Sequence, residues 1–146
     1  MKCTVILDKN REEEIVIYAK EENDIIKRIK QLAADENKEI YGFLREEIVR
    51  LELNNVYCFS LEGGKLYAMC EKEKYLIKAR LYNIEEKLNE NFIKINQSSI
   101  ANIQKIQKFD ASIGGALMVV FKNGHTDYVS RRNIKFVKER LGLWYE

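Results

Sequence analysis

The spacing of apolar positions along the chain changes twice. Cys3 to Leu7 and Ile15 to Ala19 are short β-branched runs and predict two strands. From Asp24 to Ala34 the period lengthens: Ile25, Ile26, Ile29, Leu32 and Ala33 share one face at helical spacing, with Asn23 in the N-cap position. One amphipathic helix is expected there, and Glu21, Glu22 and Asp24 suit the positive end of its dipole. From Ile40 onward the period is short again. Ile48 to Leu53 alternates, Asn54-Asn55 makes a turn, and Val56 to Leu61 resumes as a strand. Gly63-Gly64 supplies the positive φ angles of a tight hairpin into Leu66 to Cys70, and Tyr75 to Leu81 follows as a further strand. Asn83 and Glu86 read as a capping box for a short helix ending near Asn89. Beyond it the pattern predicts a strand at Phe92 to Ile95, a helical turn at Ser98 to Asn102, and strands at Ile103 to Phe109 and Ala116 to Lys122. Asn123-Gly124 marks a hairpin, Tyr128-Val129 the return strand, and Arg131 to Leu141 a last helix stopped by Gly142.

Many short strands with a few short helices make an α+β fold that is predominantly antiparallel β. Parallel crossover units are absent, which argues against a doubly wound nucleotide-binding fold. With no proline, no linker composition and no repeat, the boundary comes from the change of pattern. It divides a small strand-helix extension, residues 1–44, from a β-rich domain, residues 45–146.

Composition narrows the class. At 46% hydrophobic and 33% charged residues this is an ordinary globular chain. No apolar stretch approaches the roughly 18 residues of a membrane span, and no signal core precedes Asp8, so a cytoplasmic protein is expected. Cys3, Cys58 and Cys70 are odd in number and far apart, which predicts reduced, mostly buried thiols rather than disulfides or a zinc knuckle. The net charge of +2 hides a gradient. Residues 1–50 carry 10 basic and 12 acidic side chains, residues 51–91 carry 6 and 7, and residues 92–146 carry 9 and 4. A partner meets a surface and not a sum, so the basic last third is the informative number.

An enzyme needs a constellation of reactive groups, and none is legible. The single histidine, His125, follows a hairpin turn without a Ser or Cys partner in any motif context. Gly63-Gly64 and Gly114-Gly115 lack the strand, helix and Lys-Ser/Thr of a phosphate loop. The runs Glu12-Glu13-Glu14 and Glu85-Glu86 have no companions for a metal. No catalytic residue, metal, cofactor or small-molecule substrate is therefore expected. What does stand out is Ser130-Arg131-Arg132-Asn133-Ile134-Lys135. Ser130 as N-cap places both arginines in a first helical turn, where cations oppose the dipole at about 0.3–1 kcal/mol each. Either they pair with surface acids, or they use a helix start that already favours anions. A second polar cluster, Lys94-Ile95-Asn96-Gln97-Ser98-Ser99, contains no carboxylate. Its amides match adenine edges, and equally well Asn96 caps a turn whose backbone the serines satisfy.

The order of these segments is more telling than any one of them. Phe92-Ile93-Lys94-Ile95-Asn96-Gln97-Ser98-Ser99-Ile100-Ala101-Asn102 resembles the central motif of LytTR-type DNA-binding domains: an aromatic-led strand, a polar Ser-containing turn, then a hydrophobic-Asn step. Phe121-Lys122-Asn123-Gly124 and Tyr128-Val129-Ser130-Arg131-Arg132 before an amphipathic helix resemble the family's other signature, and the likeness spans about residues 46–143. The resemblance implies an elongated ten-strand fold that inserts loops into DNA grooves, acting as a transcription regulator on repeated half-sites. Carried over by position, Asn96, Gln97 and Arg132 would contact bases, and Ser98, Asn133 and Lys135 would position phosphates beside Arg131. The hairpin at Gly64-Lys65 would add a contact through Lys65. The chain departs from the family at Gln97, often basic or Asn, at Ala101, often bulkier, and at Gly64, a side chain in some members. The resemblance also implies a stand-alone regulator without a receiver domain, working as a homodimer or as tandem monomers, with a membrane-bound inhibitor protein as a further partner. The alternative is a protein-interaction module whose first 44 residues bind a membrane or cytosolic regulator.

Overall fold

A computed structural model of the 146-residue chain describes residues 1–34, 39–112 and 114–142. The chain divides into two units, Met1–Asn37 and Lys38–Glu146. In the N-terminal unit the one regular element among the described residues is helix α1 (Asp24–Ala34). The Asn23 carboxamide oxygen accepts from the Ile26 N–H at 3.0 Å, the cap that the residue type predicts. Of its apolar stripe only Ile26 is buried, while Ile25 and Leu32 remain 54% and 70% exposed. The two β-branched runs form no strands, a correction to the expectation for Cys3 to Leu7 and Ile15 to Ala19. A strand needs a hydrogen-bonded neighbour, and among the described residues neither run has a backbone partner. Ile15, Ile17 and Ala19 instead border an open apolar cleft with Ile26, Ile29 and Ala33.

The described residues of the C-terminal unit form ten strands, all paired antiparallel, in two sheets. The larger contains β1 (Tyr41–Leu44), β2 (Glu47–Arg50), β3 (Cys58–Glu62), β4 (Lys65–Met69), β5 (Lys74–Ile77), β6 (Phe92–Asn96) and β7 (Ser99–Asn102), in the order β2-β1-β5-β4-β3-β7-β6. The smaller contains β8 (Ile106–Asp110), β9 (Leu117–Phe121) and β10 (Thr126–Val129), with β9 central. Helices α2 (Leu81–Lys87) and α3 (Arg131–Arg140) complete it. This is the antiparallel α+β class expected from the pattern. Because β1 pairs with both β2 and β5, the sheet already begins at Tyr41, ahead of the division drawn near Leu44.

Three local expectations change. The strand expected from Ile103 begins only at Ile106, because Ile103–Lys105 forms a 3-10 turn capped by the Asn102 side chain. Ser98 to Asn102 is not a helical turn: Ser99–Asn102 is strand β7, buried along its whole length between β3 and β6. The capping box also does not form. Helix α2 starts at Leu81 with Arg80 at its N-cap and no side-chain cap, so the Asn83 N–H bonds inside the first turn to Arg80 O at 3.0 Å. Burial of Leu81 and Ile84 fixes that earlier start, since tertiary packing outweighs a local cap worth about 1 kcal/mol.

Strand periodicity distributes β3 and β7 between two cores. Cys58 and Ala101 join Leu117, Val119, Phe121 and Val137 on one side of the large sheet. Their neighbours Phe59 and Ile100 join Val56, Ala68 and Ile84 on the other. A central strand pair sealed on both faces is the rigid base from which the loops at its ends project. Gly42 in β1 lies so close to β5 that a Cβ there would meet the Tyr75 Cβ at 2.6 Å. Gly63 and Gly64, at φ 57° and 78°, make the β3–β4 turn as expected. Of the three thiols Cys58 is buried and Cys70 half-buried, but Cys3 is exposed. Burial pushes the Cys70 thiol up to about 11 and Cys58 further still. Among the described residues no helix is long and apolar enough to cross a membrane.

Candidate nucleic-acid interface

Three chain segments meet at one end of the C-terminal unit. Pairing of Ser60 with Ser99 sets β3 against β7, and the Leu61 N–H donates to Ser98 O at 2.9 Å. The β6–β7 turn, Gln97-Ser98, therefore lies toward the same end as the Gly63-Gly64 hairpin and Lys65. On the other side the Ser130 N–H donates to Ile95 O at 2.9 Å, which brings the start of α3 against β6. Gln97, Lys65, Arg131, Arg132 and Lys135 are all exposed there, with Ser98 half-buried.

The polar cluster of residues 94–99 separates into two kinds of residue. Asn96 is 1% exposed, and its amide nitrogen donates to Asp127 Oδ1 at 3.1 Å and to Tyr128 O at 2.9 Å. Its carboxamide oxygen accepts from the Ser98 N–H at 2.8 Å. Every polar atom of that side chain has a protein partner, so Asn96 shapes the turn and is not presented to a base edge in this conformation. The Ser99 hydroxyl, equally buried, donates to Asp127 Oδ2 at 2.6 Å and faces Ser60 Oγ at 3.2 Å. Gln97 alone among the amides of the turn projects outward. Asn102 is likewise internal: its amide donates to Val56 O at 2.8 Å and its oxygen accepts from the Gln104 N–H at 3.0 Å.

At the second segment, Ser130 occupies the N-cap position with extended backbone, yet its hydroxyl makes no cap bond. The first turn of α3 contains no acidic residue, and neither Arg131 nor Arg132 has a salt bridge among the described residues. Surface pairing thus leaves the two arginines unexplained. Asn133 donates to Lys94 O at 3.2 Å, a tie between α3 and β6 rather than a free donor. Ile134, Val137 and Leu141 turn into the core, which leaves Lys135 on the outer side.

Asp127 escaped the reading of the sequence. Its only signal there is position, an acid immediately before Tyr128-Val129-Ser130 in the basic third. In three dimensions its carboxylate collects Asn96, Ser99 and the Tyr128 N–H, the last at 2.8 Å. Among the described residues no three His, Cys, Asp or Glu side chains are grouped to hold a metal. What the exposed groups offer is hydrogen bonding and positive charge: a guanidinium matches a guanine edge or a phosphate in bidentate fashion, and a carboxamide matches an adenine edge.

Uncharacterized HTH-type transcriptional regulators of Staphylococcus aureus strains COL and MW2 are 30% and 31% identical to this chain over 146 residues, covering 98% of it and 99% of their own length. In this chain α1 and α2 are separated by β1 to β5, and α2 and α3 by β6 to β10, so no helix-turn-helix pair exists among the described residues. A solved LytTr DNA-binding domain from Bacillus cereus shares the fold, with a TM-score of 0.67 at 19% identity over 71% of this chain and 96% of that one. The family model described as the LytTr DNA-binding domain matches residues 46–142, and the chain belongs to that family.

Proposed function

We propose that this protein is a transcription regulator that reads double-stranded DNA at repeated half-sites, inserting loops rather than a recognition helix into the grooves. The observation that carries the reading is the cluster of exposed Lys65, Gln97, Arg131, Arg132 and Lys135 on three segments pinned together by backbone hydrogen bonds. Gln97 and Arg132 read bases; Lys65, Ser98, Arg131 and Lys135 hold phosphates; Asn96 and Asn133 fix the loops that carry them. Repeated half-sites imply two copies on the DNA, as a homodimer or as tandem monomers, in the cytoplasm where the chromosome lies.

The test is a titration of binding to upstream DNA of its own operon and to random duplex. If the three cations Lys65, Arg131 and Lys135 engage the backbone, log K falls with log salt at a slope of about −0.9 per contact, about −3 in all. Arg132→Ala costs about 1–3 kcal/mol on the specific site and much less on random duplex. Equal affinity of the wild type for both DNAs overturns the reading. A second function, docking of a membrane-bound or cytosolic regulatory protein, is favoured by the exposed apolar side chains of the N-terminal unit, among them Ile6 and Leu7 at 84% and 93%. Co-purification of a stable complex that depends on residues 1–34 tests it.

A further inference from the structure

We infer that Asp127 is a specificity-determining positioning residue, whose carboxylate locks the two base-reading loops into one rigid pair. The inference rests on the DNA-binding reading above and concerns how that site achieves selectivity. Asp127 lies in β10 of the small sheet, while the groups it binds belong to the end of β6 and the start of β7 in the large one. One oxygen takes the Asn96 amide and the Tyr128 N–H; the other takes the Ser99 hydroxyl at 2.6 Å. Asn96 and Ser99 bracket Gln97-Ser98, so the clasp grips both ends of the turn that presents Gln97. The same Asn96 amide also donates to Tyr128 O, two residues before Ser130, where α3 and its arginines begin.

Without this clasp the arrangement has no reason to be selective. A turn of two residues on a strand end with a register shift between Lys94 and Asn96 has several backbone conformers open to it. Base readout needs Gln97 and Arg132 held at a definite separation, because a donor displaced by an ångström meets the wrong edge. Phosphate contacts tolerate such displacement, since they depend on charge more than on direction. A carboxylate beside a DNA-facing surface also opposes phosphate, so its presence costs general affinity. That cost makes sense where the group's geometry serves discrimination.

The experiment compares wild type, Asp127→Ala, Asp127→Asn and Ser99→Ala on two probes: the duplex selected by the wild type from a randomised pool, and random duplex. Asp127→Ala is expected to lower the ratio of specific to random affinity by about tenfold or more, with random-duplex affinity unchanged or higher. Asp127→Asn keeps two acceptor sites on Oδ1 and gives Ser99 a donor in place of an acceptor, and the Ser99 hydroxyl then donates to Ser60. It is expected to retain most of the ratio while binding random duplex up to about threefold more tightly. Ser99→Ala removes one arm of the clasp and is expected to fall between the two. A purely structural role would instead lower thermal stability and both affinities together. If Asp127→Ala keeps the wild-type ratio, or if folded Asp127→Asn loses as much as Asp127→Ala, the inference is overturned. Should Asp127→Ala not fold, Asp127→Asn and Ser99→Ala decide by the same ratio. Failure of the wild type to select any sequence overturns the DNA reading itself, a result distinct from loss in the variants alone.

Discussion

Ile15-Val16-Ile17-Tyr18 and Val56-Tyr57-Cys58-Phe59 are equally apolar tetrads, yet Ile15 and Val16 are 66% and 62% exposed whereas Val56 and Phe59 are completely buried. The difference is not composition. Residues 58–62 have β4 on one edge and β7 on the other, with a core against each face, whereas residues 15–18 have no strand beside them among the described residues. Strand propensity measures how well a side chain suits a pleated, half-buried surface, and it takes effect only when neighbours supply that surface. The C-terminal unit has two buried apolar clusters, whereas among the described residues of the N-terminal unit Ile26 alone is a buried apolar side chain, and the ties seen there are local, the Asn23 cap and the exposed Glu22–Lys30 pair at 2.6 Å.

The strongest way to break this contrast is truncation of equivalent side chains. Phe59→Ala is expected to cost about 3–5 kcal/mol in chemical denaturation, since it empties a fully buried site. Leu7→Ala, at 93% exposure, is expected to change stability by no more than about 0.5 kcal/mol. A comparable cost at both positions would show that the N-terminal runs are packed in solution. Next in size is Gly42→Ala. The added methyl meets the Tyr75 Cβ at 2.6 Å, so a loss of about 1–3 kcal/mol is expected by the same measurement. Asn23→Ala removes the α1 cap and is expected to reduce helicity by circular dichroism, at about 1 kcal/mol, without altering the unfolding midpoint of the sheets.

The smallest effect in energy, though easily read, is thiol reactivity. At pH 7–8 exposed Cys3 is expected to react first with a maleimide, while Cys58 and Cys70 stay protected until denaturant is added. The sign follows from burial, which raises both thiols and so suppresses the reactive thiolate below about pH 11 at Cys70. Fast labelling of Cys58 in native protein would contradict the burial of β3.

Much of the C-terminal unit was legible because its signals are local. Gly63-Gly64 and Asn123-Gly124 announce hairpins by their turn chemistry, and the unbroken apolar run Leu117–Phe121 announces a strand, although its alternating burial is set by the fold. The places where pattern misled are those where distant partners decide. Ser98 to Asn102 reads as a helical turn, but Ser99–Asn102 is a buried strand, because β3 supplies the ladder and Asp127 the partner for its serine. Asn96 and Gln97 are adjacent amides with near-identical chemistry; only the position of β10 makes one internal and leaves the other exposed.

By itself, then, the chain determined its antiparallel class, its hairpins, the helix stop at Gly142 and the concentration of positive charge in its last third. These follow from backbone sterics and period, which act over a few residues. Tertiary structure alone decided which polar residues face outward, that Asp127 joins the loops, and that the β-branched runs near the N-terminus form no strands. Each of those depends on hydrogen-bond partners and burial contributed by residues far away in the chain, and no local pattern specifies where such partners will be.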